Sequence, residues 1–222
     1  MAKIENTNCD SDFMDFDLDD LAEALTTNVK EDMKDFTDII NIDSCLHREV
    51  CLADICDGTG MAIAGYIDFW NRYDEKHNIP VEEREPIRLL VHSYGGSLID
   101  TLIIIDAIKM SKTPVWGICT GAAYSGGFFA LISCHKRFGY KHSSYLFHEG
   151  ATQTGGTSSQ FENYSVFYKK QLAQLKDIVL ESTNITPDEY SDIKKDDIWY
   201  LAEEALEKGI IDVIVEKPED FK

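Results

Sequence analysis

Thr120-Gly121-Ala122-Ala123-Tyr124-Ser125-Gly126-Gly127 is the stretch on which the reading of this chain turns. Val115-Trp116-Gly117-Ile118-Cys119, a short apolar β pattern, precedes it, and Phe128-Phe129-Ala130-Leu131-Ile132, an apolar helical pattern, follows. A serine at such a strand-to-helix turn stands among residues too small to bury it. It lies beside the positive end of a helix and that helix's free N–H groups, where a nucleophile is wanted. Serine is also a favoured helix cap, and this stretch taken alone favours the cap.

Working outward, the chain alternates strand and helix. Glu49 to Asp54 reads as a strand broken by Gly58 and Gly60, and Met61 to Tyr73 as an amphipathic helix with Ile63, Tyr66, Phe69, Trp70 and Tyr73 near one face. A charged loop through Pro86 leads to a strand at Ile87–Val91, the turn His92-Ser93-Tyr94-Gly95-Gly96, an apolar helix at Ser97–Met110 and a strand at Pro114–Thr120. Beyond the serine, Arg137–Tyr140 and Tyr145–Phe147 read as short β pieces. Gly150–Gly156 is rich in Gly and Thr. Gln160–Ser182 reads as a long helix with Tyr164, Phe167, Tyr168, Leu172, Leu175 and Val179 on its apolar stripe. Thr186-Pro187 starts a helix, Lys194–Tyr200 is a charged turn entering an aromatic segment, Ala202–Lys208 is a helix closed by Gly209, and Ile210–Val215 is a last strand. This rhythm predicts a parallel α/β sheet with right-handed crossovers. Ligands in such folds sit beyond the carboxyl ends of strands, where both Gly95-Gly96 and Ser125 fall. No internal repeat is present.

The 222 residues suit one large domain, or a domain plus an extension. A net charge of −19 argues against nucleic acid as a primary partner and against anionic membranes. No run reaches the roughly 18–20 apolar residues of a membrane span, and the polar, acidic start reads as neither a secretory signal nor a transit peptide. Residues 1–44 form an acidic zone in which Asp15-Phe16-Asp17-Leu18-Asp19-Asp20-Leu21 alternates acid with apolar residues. It reads as a solvated extension, with a partner-docking peptide as the functional alternative. Six cysteines without a CxxC pair imply reduced thiols in a cytosol-like compartment. The irregular spacing of Cys45, His47, Cys51 and Cys56 gives poor support to a metal site, and no cofactor is expected.

A serine nucleophile needs a base, and acyl transfer needs donors for the oxyanion. His148, at the end of an apolar β piece, is the best base candidate. His92, just before the diglycine, is the runner-up; His47, His77, His135 and His142 lie in polar loops or beside basic residues. Gly95-Gly96 offers a backbone that can approach a ligand closely, although a diglycine is also an ordinary βα turn.

Three segments together resemble the ClpP family, the peptidase core of the Clp protease. Val91-His92-Ser93-Tyr94-Gly95-Gly96-Ser97 resembles its Asn-Ser-Pro-Gly-Gly segment. Gly121-Ala122-Ala123-Tyr124-Ser125-Gly126-Gly127 resembles its nucleophile segment, and Tyr145-Leu146-Phe147-His148 its histidine strand. The ending from Tyr200 to Asp212 is similar to the family's closing Ser-Ala-Glu-Glu-Ala helix and Gly-Leu-Val-Asp strand. Order and spacing agree from about Glu49 to Val215. The resemblance implies a ClpP/crotonase-like α/β fold with a protruding handle helix, and a peptidase domain over residues 45–217 with the handle near 150–182. It implies a serine endopeptidase with Ser125 as nucleophile and His148 as base. Asp197 matches the third triad member, with Asp192 and Asp196 as neighbours that residue type alone does not exclude. The N–H groups of Gly96 and Gly126 match the oxyanion donors. It further implies stacked heptameric rings forming a tetradecamer, a Clp-type AAA+ unfoldase as partner, and unfolded protein or peptide as substrate. The location it implies is the cytoplasm, with host cytoplasm or an organellar stroma as alternatives.

The chain also departs from the family pattern. His92 and Tyr94 replace the family's Asn and Pro, and Gly126 replaces the Met after the nucleophile. The proline that follows the catalytic histidine is missing, and residues 1–44 contain no recognisable axial loop. Positions that line the family's unfoldase-docking pocket with aromatic residues correspond to Arg88 and Leu90. The catalytic segments are kept while the docking surface is altered, the pattern of a divergent relative. The competing readings are a non-catalytic or regulatory ring subunit, a crotonase-type acyl-CoA enzyme without a Ser-His pair, and a Ser-Lys peptidase drawing on Lys112 or Lys136.

Overall fold

β2 (Ile87–Ser93) is an inner strand of the sheet, paired on both edges. Ile87, Leu89, Val91 and Ser93 are completely buried, while Arg88 and Leu90, half-buried, and His92, exposed, lie on the other face, the period of two that a pleated strand imposes. The computed structural model describes residue 44 and residues 46–150, 154–193 and 196–221. The chain divides into two units after His47, and the second, Arg48–Lys222, is compact. The sheet and its helices belong to the second unit; the acidic zone 1–44, Ser44 apart, lies outside the described residues.

The main sheet runs β1 (Glu49–Leu52), β2, β3 (Val115–Tyr124), β4 (Lys136–Tyr140) and then, from the end of the chain, β7 (Val213–Val215), all parallel. β5 (Ser144–Phe147) pairs in parallel with the far end of β3, and β6 (Ile198–Leu201) pairs antiparallel with β5. The α/β expectation holds, with one antiparallel edge pair added.

β3 is longer than its composition suggests, continuing through Gly121-Ala122-Ala123 to Tyr124. Small residues there serve close approach rather than a turn. A Cβ on Gly121 would stand 2.7 Å from Nδ1 of His92, and Ala122–Tyr124 pairs with β5. The first half of β3 thus belongs to the central sheet and the second half to the β5–β6 layer. At the other end of the chain, Ile210 and Ile211 are buried in a turn, and β7 begins only at Val213.

Helices α1 (Thr59–Lys76), α2 (Leu98–Met110) and α3 (Gly126–Ile132) follow β1, β2 and β3. α1 buries Ile63, Ile67, Trp70 and Asp74; Phe69, expected on that face, is 38% exposed. Asp100 ties the starts of α1 and α2 together. Its carboxylate accepts the N–H groups of Gly58 and Gly60 and the Ser97 hydroxyl, while Ser97 Oγ accepts the Asp100 N–H as helix cap. α3 is buried along its whole length.

The long helix α4 (Ser158–Ser182) starts in a Thr157–Gln160 capping box. It buries Gln171, Leu175, Ile178 and Val179 near its C-terminal end, and leaves Phe161, Val166 and Phe167 more than half exposed. α5 (Pro187–Ile193) is capped by Thr186, whose hydroxyl accepts the Glu189 N–H, and α6 (Ala202–Glu207) leads towards β7. No helix among the described residues is long and apolar enough to cross a membrane.

Candidate active site

Three strand ends meet at one point. β3 runs directly into Ser125, and β5 lies parallel to its last residues, so β5 ends at the same edge and His148 follows it. β6 is antiparallel to β5, so it begins where β5 ends. The ladder pairs Phe147 with Ile198; continuing that register by one residue sets His148 opposite Asp197. Residues opposite each other in an antiparallel pair put their side chains on the same face. His148 Nδ1 accordingly lies 3.5 Å from Asp197 Oδ1. Asp196 and Asp192 are exposed, and neither forms an ion pair with His148 among the described residues.

Ser125 carries φ 50° and ψ −119°, a conformation that a side-chain-bearing residue seldom adopts. Its N–H donates to the Leu146 carbonyl at 3.0 Å, which fixes the turn against β5. Although it occupies the N-cap position of α3, its hydroxyl makes no capping hydrogen bond. The plain-cap reading of Ser125 therefore does not describe what its side chain does. Positive φ at a strand-to-helix turn lifts the hydroxyl away from the helix, as in a nucleophile elbow.

The diglycine turn packs against the serine turn. A Cβ on Gly95, at φ +91°, would lie 2.6 Å from the Ser125 Cβ and 2.8 Å from the Gly126 nitrogen. A Cβ on Gly96, at φ +146°, would lie 2.0 Å from the Ile55 carbonyl oxygen. Only glycines allow this approach. Gly96 bridges Ile55 in parallel fashion: Ile55 N–H donates to the Gly95 carbonyl and Ser97 N–H to the Ile55 carbonyl. In such a bridge the central residue's own N–H points to the opposite side. On that side lies Gly126, where an added Cβ would come 3.5 Å from the Gly96 nitrogen. The N–H groups of Gly96 and Gly126, the second at a helix start, are thus neighbours beside Ser125.

Ser125, Gly126, Gly96 and His148 line one cleft of about 530 Å³, walled by Leu98, Ile99 and Phe129 on one side and by Tyr164, Tyr168 and Leu175 of α4 on the other. His148 is 28% exposed in its side chain, and its Nε2 is buried without a hydrogen-bond partner among the described residues. A carboxylate beside Nδ1 favours the tautomer with the N–H on Nδ1, which would leave the Nε2 lone pair that a base requires.

The remaining candidates lie elsewhere. His92 is exposed and packs edge-on to Tyr94, outside the cleft lining. Lys112 pairs with Glu75 at 2.8 Å, and Lys136 lies over the rings of Trp116 and Phe138; neither lines the cleft. Cys51 and Cys56 are exposed, and Cys45 lies outside the described residues. Among the described residues, no three His, Cys, Asp or Glu side chains gather around a common point. Burial pushes the Cys119 and Cys134 thiols up to about 11 and about 12, so they pack as small hydrophobes rather than as thiolates. Sequence reasoning misses the contribution of α4 to the cleft. In the sequence Tyr164 and Tyr168 belong only to an apolar stripe, and periodicity does not say which cavity a stripe borders.

Residues 80–218 match the family model described as Clp protease. The ATP-dependent Clp protease proteolytic subunit 2 of Treponema pallidum is 31% identical over 139 residues, which cover 62% of this chain and 70% of that protein. Proteolytic subunit 2 of Prochlorococcus marinus is 32% identical over 145 residues, 63% of this chain and 70% of that protein. The family match takes in β2 through β7, hence every residue of the cleft, while β1 and α1 precede it. The chain belongs to the Clp protease family.

Proposed function

We propose that this chain is a serine endopeptidase of the ClpP type, with Ser125 as nucleophile, His148 as general base and Asp197 as the carboxylate that orients it. The observation that carries the reading is the meeting of the β3, β5 and β6 ends, with Ser125 at a strained turn and His148 Nδ1 3.5 Å from Asp197. In this reading His148 Nε2 takes the proton as Ser125 Oγ attacks the peptide carbonyl. The N–H groups of Gly96 and Gly126 hold the oxyanion. His148 then returns the proton to the leaving amine, and water, activated by the same imidazole, hydrolyses the acyl-enzyme. The 3.5 Å separation is long for a hydrogen bond, and such contacts tighten when substrate is bound.

The proposal extends to assembly: heptameric rings stacked as a tetradecamer in a cytosol-like compartment, fed with unfolded protein by an AAA+ unfoldase. The exposed apolar half of α4 supports a helix that finds its cover on another subunit. A serine-directed fluorophosphonate probe tests the chemistry. It should label Ser125, as read by peptide mapping, and Ser125→Ala should lose both labelling and peptide hydrolysis while keeping its fold. Labelling elsewhere, or wild-type turnover in Ser125→Ala, overturns the reading in favour of a ring subunit without this chemistry.

A further inference from the structure

Among the described residues that line the cleft, Glu149 is the only carboxylate, and no lysine or arginine is present. It follows His148 directly, beyond the end of β5. The Tyr168 hydroxyl on α4 donates to the Glu149 carbonyl at 3.4 Å, which draws this segment against the helix. Burial raises the phenols of Tyr168 and Tyr190, and the nearby Glu149 charge raises both further, Tyr190 to about 12. Glu149 thus lines the cleft where this segment meets α4. The rest of the lining is uncharged in the main: Leu98, Ile99, Phe129, Tyr164 and Leu175 give apolar or aromatic walls, and Ser97, Thr101 and Gln171 add neutral polar groups.

An apolar wall with one carboxylate suits a side chain that is itself an apolar stem carrying a cation. Arginine and lysine have this build, and aromatic rings along the stem add to their fit. An acidic side chain would instead bring like charge against Glu149 in a partly desolvated cleft. A purely apolar side chain would pack on the walls, but it would strip water from Glu149 and return no partner.

We propose that Glu149 is a specificity residue, and that the cleft selects peptides with arginine or lysine beside the scissile bond over those with glutamate there. The inference rests on the peptidase reading of the same cleft, so its test is made independent of turnover. Three fluorescent peptides identical except for Arg, Gln or Glu at that position are titrated against full-length Ser125→Ala. The Arg peptide should bind about tenfold more tightly than the Glu peptide, a gap that narrows as salt rises. Adding Glu149→Gln should bring the three within about twofold of one another, and Glu149→Lys should reverse the order. Equal binding of all three peptides to Ser125→Ala, or an order that survives Glu149→Lys, overturns the proposal. Hydrolysis of the Gln peptide by the wild-type chain, lost in Ser125→Ala, reports on the peptidase reading separately.

Discussion

Asp197 is the least legible residue of the candidate site. Three aspartates, Asp192, Asp196 and Asp197, compete within six positions, and residue type cannot separate them. The separation comes from a strand pairing between β5 and β6, which lie some fifty residues apart, and from its register. Asp197→Asn should lower peptide hydrolysis on the order of a thousandfold, while Asp192→Asn and Asp196→Asn lower it little. A large loss from either neighbour would show that the register has slipped by a residue. Ser125 is legible because its small neighbours and the strand-to-helix change are local features. Its positive φ is not, since that conformation is imposed by β5 and the diglycine turn pressing on it. Gly96→Ala is a sharper probe of the oxyanion donors than any side-chain change. Its Cβ would be driven 2.0 Å from the Ile55 oxygen, so the turn must shift and carry the N–H with it. Turnover should fall on the order of a hundredfold, with fluorophosphonate labelling slowed in parallel. Normal labelling in Gly96→Ala would remove Gly96 from the oxyanion role.

Among the elements, α1 shows how apolar periodicity and burial part company. The sequence shows aromatic residues near one face, yet the most buried position at the C-terminal end of that helix is Asp74, with no exposed surface. Asp74 is held by Arg48, 2.5 Å away and stacked 4.3 Å over Trp70, and by the Thr113 hydroxyl at 2.7 Å. Burial alone would push the Asp74 carboxyl up; the Arg48 and Thr113 hydrogen bonds and the nearby guanidinium charges outweigh it and hold it below its usual range. A carboxyl depressed on folding stabilises at pH values above its unfolded value near 4, and that contribution is lost as pH falls through the lower folded value. Asp74→Asn should therefore destabilise by about 3 kcal/mol at neutral pH, because it leaves Arg48 buried without its counter-charge. The difference from wild type should begin to shrink below pH about 4, where the unfolded chain takes up the proton, and close only once the pH falls below the lower folded value, when the native carboxyl is protonated too. Urea unfolding across that range checks it, and a pH-independent gap would sink the argument. On α4, the sequence shows an apolar stripe along the whole helix, but only its C-terminal half meets this chain's own core. That end is anchored by Arg137, which donates to the Ser182 and Gly209 carbonyls and pairs with Asp212. The exposed half argues for a partner helix. Phe161→Glu with Val166→Lys should leave the melting temperature nearly unchanged and shift sedimentation towards single rings or smaller species. Unaltered sedimentation would mean that this half of α4 is not an assembly surface.

For the whole molecule, the candidate cleft carries the segments that resemble the family's, while the positions expected to line an unfoldase-docking pocket carry other residues. Arg88 is taken up by an ion pair with Glu49 across β1 and β2 at 3.0 Å. Leu90 packs with Trp116, Val213 and Phe221 on the Ile118–Phe138–Val215 cluster, and the Phe221 ring lies 5.2 Å from that of Phe138. The two positions are thus committed to contacts within the chain. If an unfoldase feeds this chain, a second contact is one way to compensate, and residues 10–21, where Phe13, Phe16, Leu18 and Leu21 stand between aspartates, are the candidate. Acid-flanked apolar residues cannot build a core alone, but they can dock in a groove with a basic rim, and they raise local negative charge that would attract cationic peptides. We expect residues 1–44 to act as a docking peptide or a regulatory plug. Deleting them should leave small-peptide cleavage equal or raised, because the described residues that line the cleft all come later in the chain. Degradation of a folded protein supplied by an unfoldase should change, falling if the segment docks the partner and rising if it plugs entry. Full-length and truncated chains that degrade such a substrate at the same rate would make the segment a passive extension, and the altered Arg88–Leu90 face would then have to dock the unfoldase by itself.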